Sequence, residues 1–332
     1  MSQPSAPVGI VTDPAFLRHD TGPGHPESAG RLRAIEPVFE ALAADPRYEV
    51  LREAPAASEE QILTAHTAGH VQRVRDACLR GPAVLDAGDT PVVPESWPAA
   101  LKSVGGVVDA ALRVHDGRWR RAFCAVRPPG HHAEPSRAMG FCLFNNLAVA
   151  ANVLQEADRR PPVAKVAIVD FDVHHGNGTQ EIFWEDPTVL YASCHQQPLF
   201  PGTGAREERG AGMGLDTTLN RPLPPGAGDE AVVAWIEGEC AEAVRRFRPD
   251  FLLVSAGFDG HVADYLAALR MTTEGYARVS RALVALAEEL CGGRLVSVLE
   301  GGYEPKALRE CVAAHLEALA LGVDTGCGAP AP

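Results

Sequence analysis

Lysine is almost missing from this chain of 332 residues, in which Lys102, Lys165 and Lys306 are the only lysines among 30 basic side chains. Acidic side chains number 43, and the formal net charge is -13 at pH 7. An acidic protein lacks the broad basic surface that nucleic acids and anionic lipids bind. The composition therefore predicts no nucleic-acid or membrane partner and slightly favours a cationic ligand.

Long apolar runs and paired cysteines are also lacking. No apolar run in the sequence is long enough to cross a bilayer. Residues 1–7 have neither the basic nor the apolar part of a secretion signal. The eight cysteines are dispersed, without a CxxC pair or the spacing of a disulfide framework. We therefore expect a protein of the reducing cytoplasm, with frayed ends at residues 1–7 and 326–332.

No linker interrupts the chain. Its segments rich in proline and glycine are short, and 46% of the residues are hydrophobic, which is enough for one large core. Residues 1–332 are therefore predicted to form a single domain. The glycine-rich segment 210–214 matches neither a phosphate-binding loop nor a dinucleotide-binding turn, so we expect a plain loop there. The sequence also has no GxSxG nucleophile motif.

Short apolar runs alternate with amphipathic segments along the chain. Each run ends at glycine, proline or polar residues, as is typical of strands buried on both faces of a parallel sheet. The intervening segments repeat apolar residues at spacings of three and four, which predicts helices and, with the strands, an α/β fold with right-handed crossovers. The predicted strands are 122–126, 163–169, 189–193, 251–255 and 295–299, and the predicted helices are 98–114, 146–157, 229–247, 273–290 and 305–319.

Unusual polar residues follow the carboxyl ends of these strands, where open α/β sheets place their sites. The densest group is Asp170, Asp172 and His174, which alternate along one segment and so project to the same side. Asp259 ends another buried run and needs a partner. Two carboxylates and an imidazole make a catalytic metal site with a position open for water. The alternative, that an acid only caps a helix or bonds a loop amide, is favoured for any one of them but not for three together.

Two further motifs add groups that transfer protons. His131 and His132 follow a rigid Pro-Pro-Gly turn, and each needs its own hydrogen-bond partner, which Asp170 and Asn177 can supply. One of the two histidines can then act as a general base on water. Tyr303 follows two glycines, where it is either a half-buried tyrosine of a surface turn or a donor to a developing oxyanion.

Aromatic residues lie beside these motifs. Phe141 and Phe144 follow the histidine turn, and Phe200 follows the predicted strand 189–193. Such residues are more often part of a core than of a binding wall. Two of them on either side of a metal site nevertheless suggest a narrow apolar tunnel.

With these motifs in order, the sequence resembles the superfamily of histone deacetylases and acetylpolyamine amidohydrolases, most closely the bacterial relatives of class II deacetylases. The resemblance covers nearly the whole chain, and it implies the arginase/deacetylase fold, an α/β fold with a central, mostly parallel sheet of about eight strands flanked by helices. The matching motifs are His25-Pro-Glu27, Arg31-Leu32, Asp89-Thr90, RPPGHH, GFCLFNN, DFDVHHGNGTQ, PGTG, SAGFDGH and LEGGY.

The resemblance also implies two metal sites. Asp172, His174 and Asp259 would hold zinc, or ferrous iron in the cell. A structural potassium ion is implied near Asp170, Asp172, His174, Ser193 and Cys194.

Catalytic roles follow from the same resemblance. His131 and His132 would form the catalytic pair, oriented by Asp170 and Asn177 respectively. An Asn at the second place is similar to class II deacetylases. Tyr303 would polarise the carbonyl of the substrate. Some relatives carry His at this place and hydrolyse acetyl-lysine poorly, so the tyrosine implies that this chain is an active hydrolase.

The implied tunnel bears on the substrate. Gly140, Phe141 and Phe200 would line a tunnel for acyl-lysine, and Asp89 would hold the substrate backbone at the rim. Relatives that prefer acetylpolyamines tend to carry an acidic residue where this chain has Leu266. The resemblance therefore implies hydrolysis of acetyl-lysine or another short acyl-lysine, with an acetylpolyamine or another small acylated amine as the alternative substrate.

Other functions remain as alternatives. A ureohydrolase with paired manganese ions needs more Asp ligands than SAGFDGH provides, and a non-catalytic module that binds acyl-lysine does not need the full set of ligands, histidines and tyrosine. Gly260 stands where Ala is common in the superfamily and Tyr265 where Pro is usual, so the acyl and amine preferences stay open. A homo-oligomer is compatible with the sequence.

Overall fold

The computed structural model describes residues 6–86, 88–156 and 160–321. Apart from residues 6 and 7, the chain ends that were predicted to fray lie outside these ranges. The described ranges contain ten strands: β1 (Val8–Val11), β2 (Tyr48–Leu51), β3 (Ala83–Val84), β4 (Pro91–Val92), β5 (Arg121–Cys124), β6 (Val166–Asp170), β7 (Val189–Gln196), β8 (Thr218–Leu223), β9 (Phe251–Ala256) and β10 (Leu295–Leu299).

Eight of the strands form one sheet, and β3 and β4 form a separate antiparallel pair. The order in the sheet is β2-β1-β5-β10-β9-β6-β7-β8, and every pair of neighbours is parallel. The predicted α/β class and the sheet of eight strands are confirmed. β5, β6, β7, β9 and β10 are buried along their whole length, which explains why their sequences are nearly continuous apolar runs.

Within the described ranges, ten α-helices connect the strands. They are α1 (Ala29–Leu42), α2 (Glu59–Ile62), α3 (Ala68–Arg80), α4 (Ser96–His115), α5 (Asn146–Leu154), α6 (Asn177–Ile182), α7 (Asp229–Trp235), α8 (Ala241–Phe247), α9 (Thr273–Cys291) and α10 (Pro305–Ala320). Among the residues that the structure describes, no helix is both long and apolar enough to span a bilayer.

The helices cover both faces of the sheet. The chain runs from β1 outward to β2 through α1, and then back across the sheet through α4 to β5 and through α5 to β6. Right-handed crossovers in opposite directions place α1 on one face and α4 and α5 on the other. In agreement, α4 packs against α5, whereas α1 and α9 pack against α10.

The predicted elements are present, with differences at their ends. The strand predicted at 163–169 begins only at Val166, and the predicted helix 146–157 ends at Leu154. The predicted helix 229–247 begins and ends at the predicted residues, but a π-helical turn, Ile236–Cys240, lies within it between α7 and α8. The segment 210–214 was expected to be a plain loop, but its last three residues, Gly212–Gly214, form a 3-10 turn. All seven cysteines in the described ranges are buried free thiols.

Candidate active site

Three possible metal ligands converge where two neighbouring strands end. Asp172 and His174 follow β6, and Asp259 follows β9, which pairs with β6. Nδ1 of His174 lies 3.1 Å from Oδ1 of Asp172 and 3.1 Å from Oδ2 of Asp259. All three ligand atoms lie within 4.8 Å of one another. The pairing of the strands therefore brings together residues that are 85 or more positions apart in sequence.

The backbone fixes the two carboxylates in place. Gly301 N–H donates to Oδ2 of Asp172 at 2.7 Å, and Val173 N–H donates to Oδ1 of Asp259 at 3.1 Å. A Cβ atom on Gly301 would lie 1.9 Å from Oδ2 of Asp259, so only glycine permits this approach. The 3.1 Å separations are close to the spacing of neighbouring corners of a tetrahedron with bonds of about 2.0–2.1 Å. Donor types and spacing both fit a divalent metal ion.

Charge in this pocket also favours a cation. Burial raises the pKa of Asp259 to about 6, and the nearby carboxylate of Asp172 adds to the effect. Burial acts in the same direction on Asp172, but the imidazoles of His131 and His174 outweigh it and hold the pKa of Asp172 below its usual range. Two carboxylates this close in a buried site repel each other unless positive charge lies between or beside them.

The two adjacent histidines have different partners. Nδ1 of His131 lies 3.1 Å from Oδ2 of Asp170, and Nδ1 of His132 lies 2.8 Å from Oδ1 of Asn177. Burial favours neutral His131, but Asp170, Asp172 and a further carboxylate outweigh burial and raise the pKa of His131 to about 10. Burial lowers the pKa of His132 well below its usual value, and the neighbouring imidazole of His131 lowers it further. The surroundings therefore shift the two pKa values in opposite directions, toward the cation for His131 and toward the neutral ring for His132.

Glu300 supplies the further carboxylate and was not given a role from the sequence. Its Oε2 accepts hydrogen bonds from the backbone N–H groups of Gly130, at 2.7 Å, and His131, at 3.2 Å. Burial raises the pKa of Glu300 to about 7, partly offset by the charge of His131. Glu300 thereby ties the end of β10 to the histidine turn after β5, its neighbour in the sheet.

Tyr303 lies in the site rather than in a surface turn. Only 8% of the residue is exposed, and the guanidinium of Arg31 lies 4.9 Å from the centre of its ring. Arg31 is itself buried and donates from Nε to the carbonyl of Gly302 at 2.7 Å. Burial raises the pKa of Tyr303 well above its usual value, so the phenol remains a proton donor at neutral pH.

A cavity of about 200 Å³ leads to these groups. Gly140 adopts φ +56°, and a Cβ there would lie 2.4 Å from the His132 ring, so glycine lets this turn approach the histidine. The ring of Phe200 lies 5.1 Å from that of His132. The cavity is lined by the three residues that the resemblance placed in a tunnel, Gly140, Phe141 and Phe200. Asp89 and Leu266, the other two residues that it related to the substrate, also line the cavity, together with both histidines, His174 and Tyr303.

The residues implied for potassium lie at the junction of β6 and β7. Asp170 and Ser193 are opposite each other in the register of these strands. Ser193 Oγ and Nδ1 of His195 are 2.9 Å apart. Cys194 is buried within β7. The strand pairing therefore brings the predicted residues together, while the ion remains an expectation.

Several residues with structural roles in the site were not singled out from the sequence. Glu134 accepts a hydrogen bond from Asn177, and Asp264 accepts one from the backbone of Tyr303. Each is separated from its partner by about 40 positions, and neither has a local pattern that indicates it. Arg31 and Glu300 belonged to matching motifs, which was the only available signal.

Comparisons with known proteins agree with this geometry. A model of the histone deacetylase domain matches residues 25–319. A "Probable deacetylase" of Archaeoglobus fulgidus is 41% identical over 297 residues, which cover 89% of this chain and 81% of the relative. A "Histone deacetylase-like amidohydrolase" of Pseudomonas aeruginosa is 37% identical over 320 residues, covering 94% of this chain and 80% of the relative.

A solved structure shows the same fold. The crystal structure of the HDA15 HD domain superposes with a TM-score of 0.88 at 35% sequence identity, covering 96% of this chain and 89% of that domain. The family model spans most of the chain, and the relatives above exceed one third identity over four fifths of their length. The chain belongs to the histone deacetylase family and is a hydrolase of the deacetylase and amidohydrolase type.

Proposed function

We propose that the protein hydrolyses the side-chain amide of acetyl-lysine or another short acyl-lysine with the help of zinc. The observation that carries this proposal is that His132, His174 and Tyr303 line one narrow cavity. A neutral base, a metal ligand and a phenol donor thus face the same small volume, which is the set of groups that amide hydrolysis requires.

The metal site is assigned to three residues. Asp172, His174 and Asp259 would hold zinc, or ferrous iron in the cell, because two carboxylates and one imidazole leave a coordination position open. A bound ion supplies positive charge that polarises the acyl carbonyl and lowers the pKa of water. The remaining steps depend on the side chains of the chain itself.

His132 is proposed as the general base. Its Nδ1 is occupied by Asn177, so its Nε2 is the nitrogen available to the cavity. Because the ring is neutral, Nε2 accepts the proton of the attacking water and then passes it to the leaving nitrogen as the amide C–N bond breaks. The products are a carboxylic acid and an amine, so the atoms balance. His131, oriented by Asp170, carries positive charge beside the developing negative charge.

Tyr303 is proposed to stabilise the oxyanion. Its phenol remains protonated and lies in the cavity, so it can donate to the oxygen of the tetrahedral intermediate. Arg31 packs over its ring, and the backbone before Tyr303 is held through Arg31 and the Gly302 carbonyl. These contacts limit the movement of the ring, which reduces the reorganisation needed during the reaction.

Acyl-lysine is favoured by the shape and chemistry of the cavity. Phe141, Phe200 and Leu266 give it apolar walls suited to the methylene chain of lysine. Asp89 also lines the cavity and would accept hydrogen bonds from the backbone of a peptide. The net charge of -13 also suits a small cationic substrate such as an acetylpolyamine, which is the second candidate.

Four expectations accompany this proposal. The whole chain forms one catalytic domain, and a structural potassium ion binds where Asp170 and Ser193 face each other. The buried free thiols of the described cysteines suit the cytoplasm. No nucleic-acid or membrane partner is expected for so acidic a chain. A homo-oligomer is compatible with all of these expectations.

The test is a matched panel of substrates. Zinc-loaded protein is assayed on an acetyl-lysine peptide, peptides with longer acyl groups and acetylated polyamines, each with and without a chelator. Faster cleavage of the lysine peptides that the chelator abolishes supports the proposal. Preference for polyamines would favour the second candidate, and the absence of turnover on every substrate would contradict both.

A further inference from the structure

The amide of Asn177 is held from three sides. Its Oδ1 lies 2.8 Å from Nδ1 of His132. Its Nδ2 donates to Oε1 of Glu134 at 2.7 Å and lies 3.3 Å from the sulfur of Met139. Both groups around Nδ2 are acceptors, because a carboxylate and a thioether offer no hydrogen to donate.

These contacts determine which way the amide faces. If Asn177 were turned over, its Oδ1 would face the carboxylate oxygen of Glu134, and two acceptors at hydrogen-bond distance repel each other. The Oδ1 of Asn177 must therefore face His132. Because this oxygen only accepts, the hydrogen of neutral His132 must be on Nδ1, which leaves the lone pair on Nε2.

The backbone fixes Glu134 independently of its side chain. Glu134 N–H donates to the carbonyl of Arg137 at 2.9 Å, and the Glu134 carbonyl lies 3.0 Å from Nδ1 of His66. Glu134 is partly exposed, whereas His132 and Asn177 are buried. A residue at the surface thus reaches the buried pair through one hydrogen bond.

We propose that Glu134 is a positioning residue that sets the tautomer of His132 through Asn177. The inference rests on the proposed role of His132 as general base, because only the tautomer with a free Nε2 can accept a proton from water in the cavity. Glu134 does not line the cavity and is bonded to Asn177 rather than to a metal ligand, so its effect should be on turnover rather than on binding of substrate or zinc.

Two substitutions at Glu134 separate the effect of its hydrogen-bond acceptor from the effect of its charge. Glu134→Met has a similar length and no oxygen acceptor, so Asn177 can turn over, and we expect kcat to fall about 10- to 100-fold with KM nearly unchanged. Glu134→Gln keeps an amide oxygen for Asn177, so it should retain most of kcat. The matched control is Glu60→Met, which removes an exposed carboxylate on α2 that does not line the cavity. Equal losses for Gln and Met, or no loss for Met, would overturn the proposal.

In the variant Asn177→Asp, the effect of Glu134→Met on kcat should be lost or reversed. In Asn177→Asp both side-chain oxygens accept, so Glu134 is no longer needed and its carboxylate repels the new one. Glu134→Met should then leave kcat unchanged or raise it, whereas a merely structural role for Glu134 predicts the same loss in both backgrounds. Thermal unfolding and zinc content of each variant show whether it is folded and loaded.

A readout without substrate separates this inference from the proposed function. Nitrogen-15 spectra of zinc-loaded protein distinguish the two neutral tautomers, and His132→Ala identifies the signal of His132. We expect hydrogen on Nδ1 in the wild type and a shift toward hydrogen on Nε2 in Glu134→Met. Hydrogen on Nε2 in the wild type, or an identical spectrum in Glu134→Met, would overturn the inference even if the enzyme is active. Lack of amide hydrolysis together with the expected spectra would instead contradict only the proposed function.

Discussion

Asp264 holds the backbone of Tyr303 in place: its Oδ2 accepts a hydrogen bond of 2.6 Å from Tyr303 N–H. The same oxygen accepts from Glu304 N–H at 3.2 Å, and Oδ1 accepts from Leu266 N–H at 3.0 Å. One carboxylate with 8% exposure therefore joins the loop that carries Leu266 to the turn that carries the phenol.

Removing this carboxylate should displace the phenol. We expect Asp264→Ala to lower kcat about 10- to 100-fold, because the N–H groups of Leu266, Tyr303 and Glu304 lose their acceptor and the turn can shift. Asp264→Asn keeps one acceptor oxygen and should lose less. Steady-state kinetics on an acetyl-lysine peptide give the comparison. Equal activity of the Ala variant and the wild type would show that the turn does not depend on Asp264.

The hydroxyl of Tyr303 should matter for turnover more than for binding. Tyr303→Phe removes one donor to the oxyanion, and a loss of about 10²- to 10³-fold in kcat with a small change in KM is expected. Tyr265→Phe is the matched control, because Tyr265 is 64% exposed and does not line the cavity. Unchanged turnover in Tyr303→Phe would remove the phenol from the mechanism.

Loss of a ligand should be visible in metal binding itself. Asp259→Asn replaces a charged ligand with a weak neutral one, so zinc affinity should fall by more than the roughly 100-fold upper range typical of groups outside the coordination shell. Competition with a chelating dye measures the affinity, and the zinc-dependent rise in Tm should disappear in parallel. Asp89→Asn, at the cavity lining, should keep its zinc affinity. Wild-type affinity in Asp259→Asn would exclude Asp259 as a ligand.

The sequence predicted the central strands and the groups at their ends, because a strand buried on both faces is a continuous apolar run. Strand β1 and the two edge strands, β2 and β8, were not predicted. β2 is only half-buried, and β8 contains Asn220, Arg221 and Pro222, so neither has the pattern of a buried strand. Order within the sheet depends on long crossovers, which a local pattern does not encode.

In the active site, too, some residues could be predicted from the sequence and others could not. Asp172, His174 and Asp259 lie directly after strands, so their convergence followed from parallel pairing alone. Glu134 and Asp264 were missed because each acts through a hydrogen bond to a residue 43 or 39 positions away, on loops whose course depends on the whole fold. Such partners carry no local signal until the loops are placed.

Acid should destabilise the fold through buried neutral histidines, of which His315 is the clearest case. His315 lies between the hydroxyls of Ser280 and Ser297, 2.7 and 2.8 Å from its two ring nitrogens, and burial lowers its pKa to about 3. An unfolded histidine has a pKa near 6.5, so the unfolded state binds the extra proton between about pH 3 and 6.5. The contribution of His315 is thus fully present above pH 6.5 and is lost as pH falls.

The measurement compares the wild type with His315→Gln. Urea unfolding at several pH values between 4.5 and 6 should show a slope of the free energy of unfolding against pH that is shallower in the variant by up to about 1.4 kcal/mol per pH unit. The comparison between two proteins cancels the pH dependence of metal binding, which both share. Parallel slopes would mean that His315 is not neutral in the folded state.

Leu266 should decide between lysine and polyamine substrates. It lines the cavity beside Phe200 and Tyr303, where a carboxylate would attract the second amine of a polyamine but not the neutral backbone of a peptide. Leu266→Glu should therefore raise kcat/KM for an acetylpolyamine relative to an acetyl-lysine peptide, by up to about fivefold for a solvated ion pair, and the gain should shrink at high salt. Leu266→Gln, of the same size without the charge, should show no such gain. An equal shift in the Gln variant would mean that cavity shape, and not charge, selects the amine.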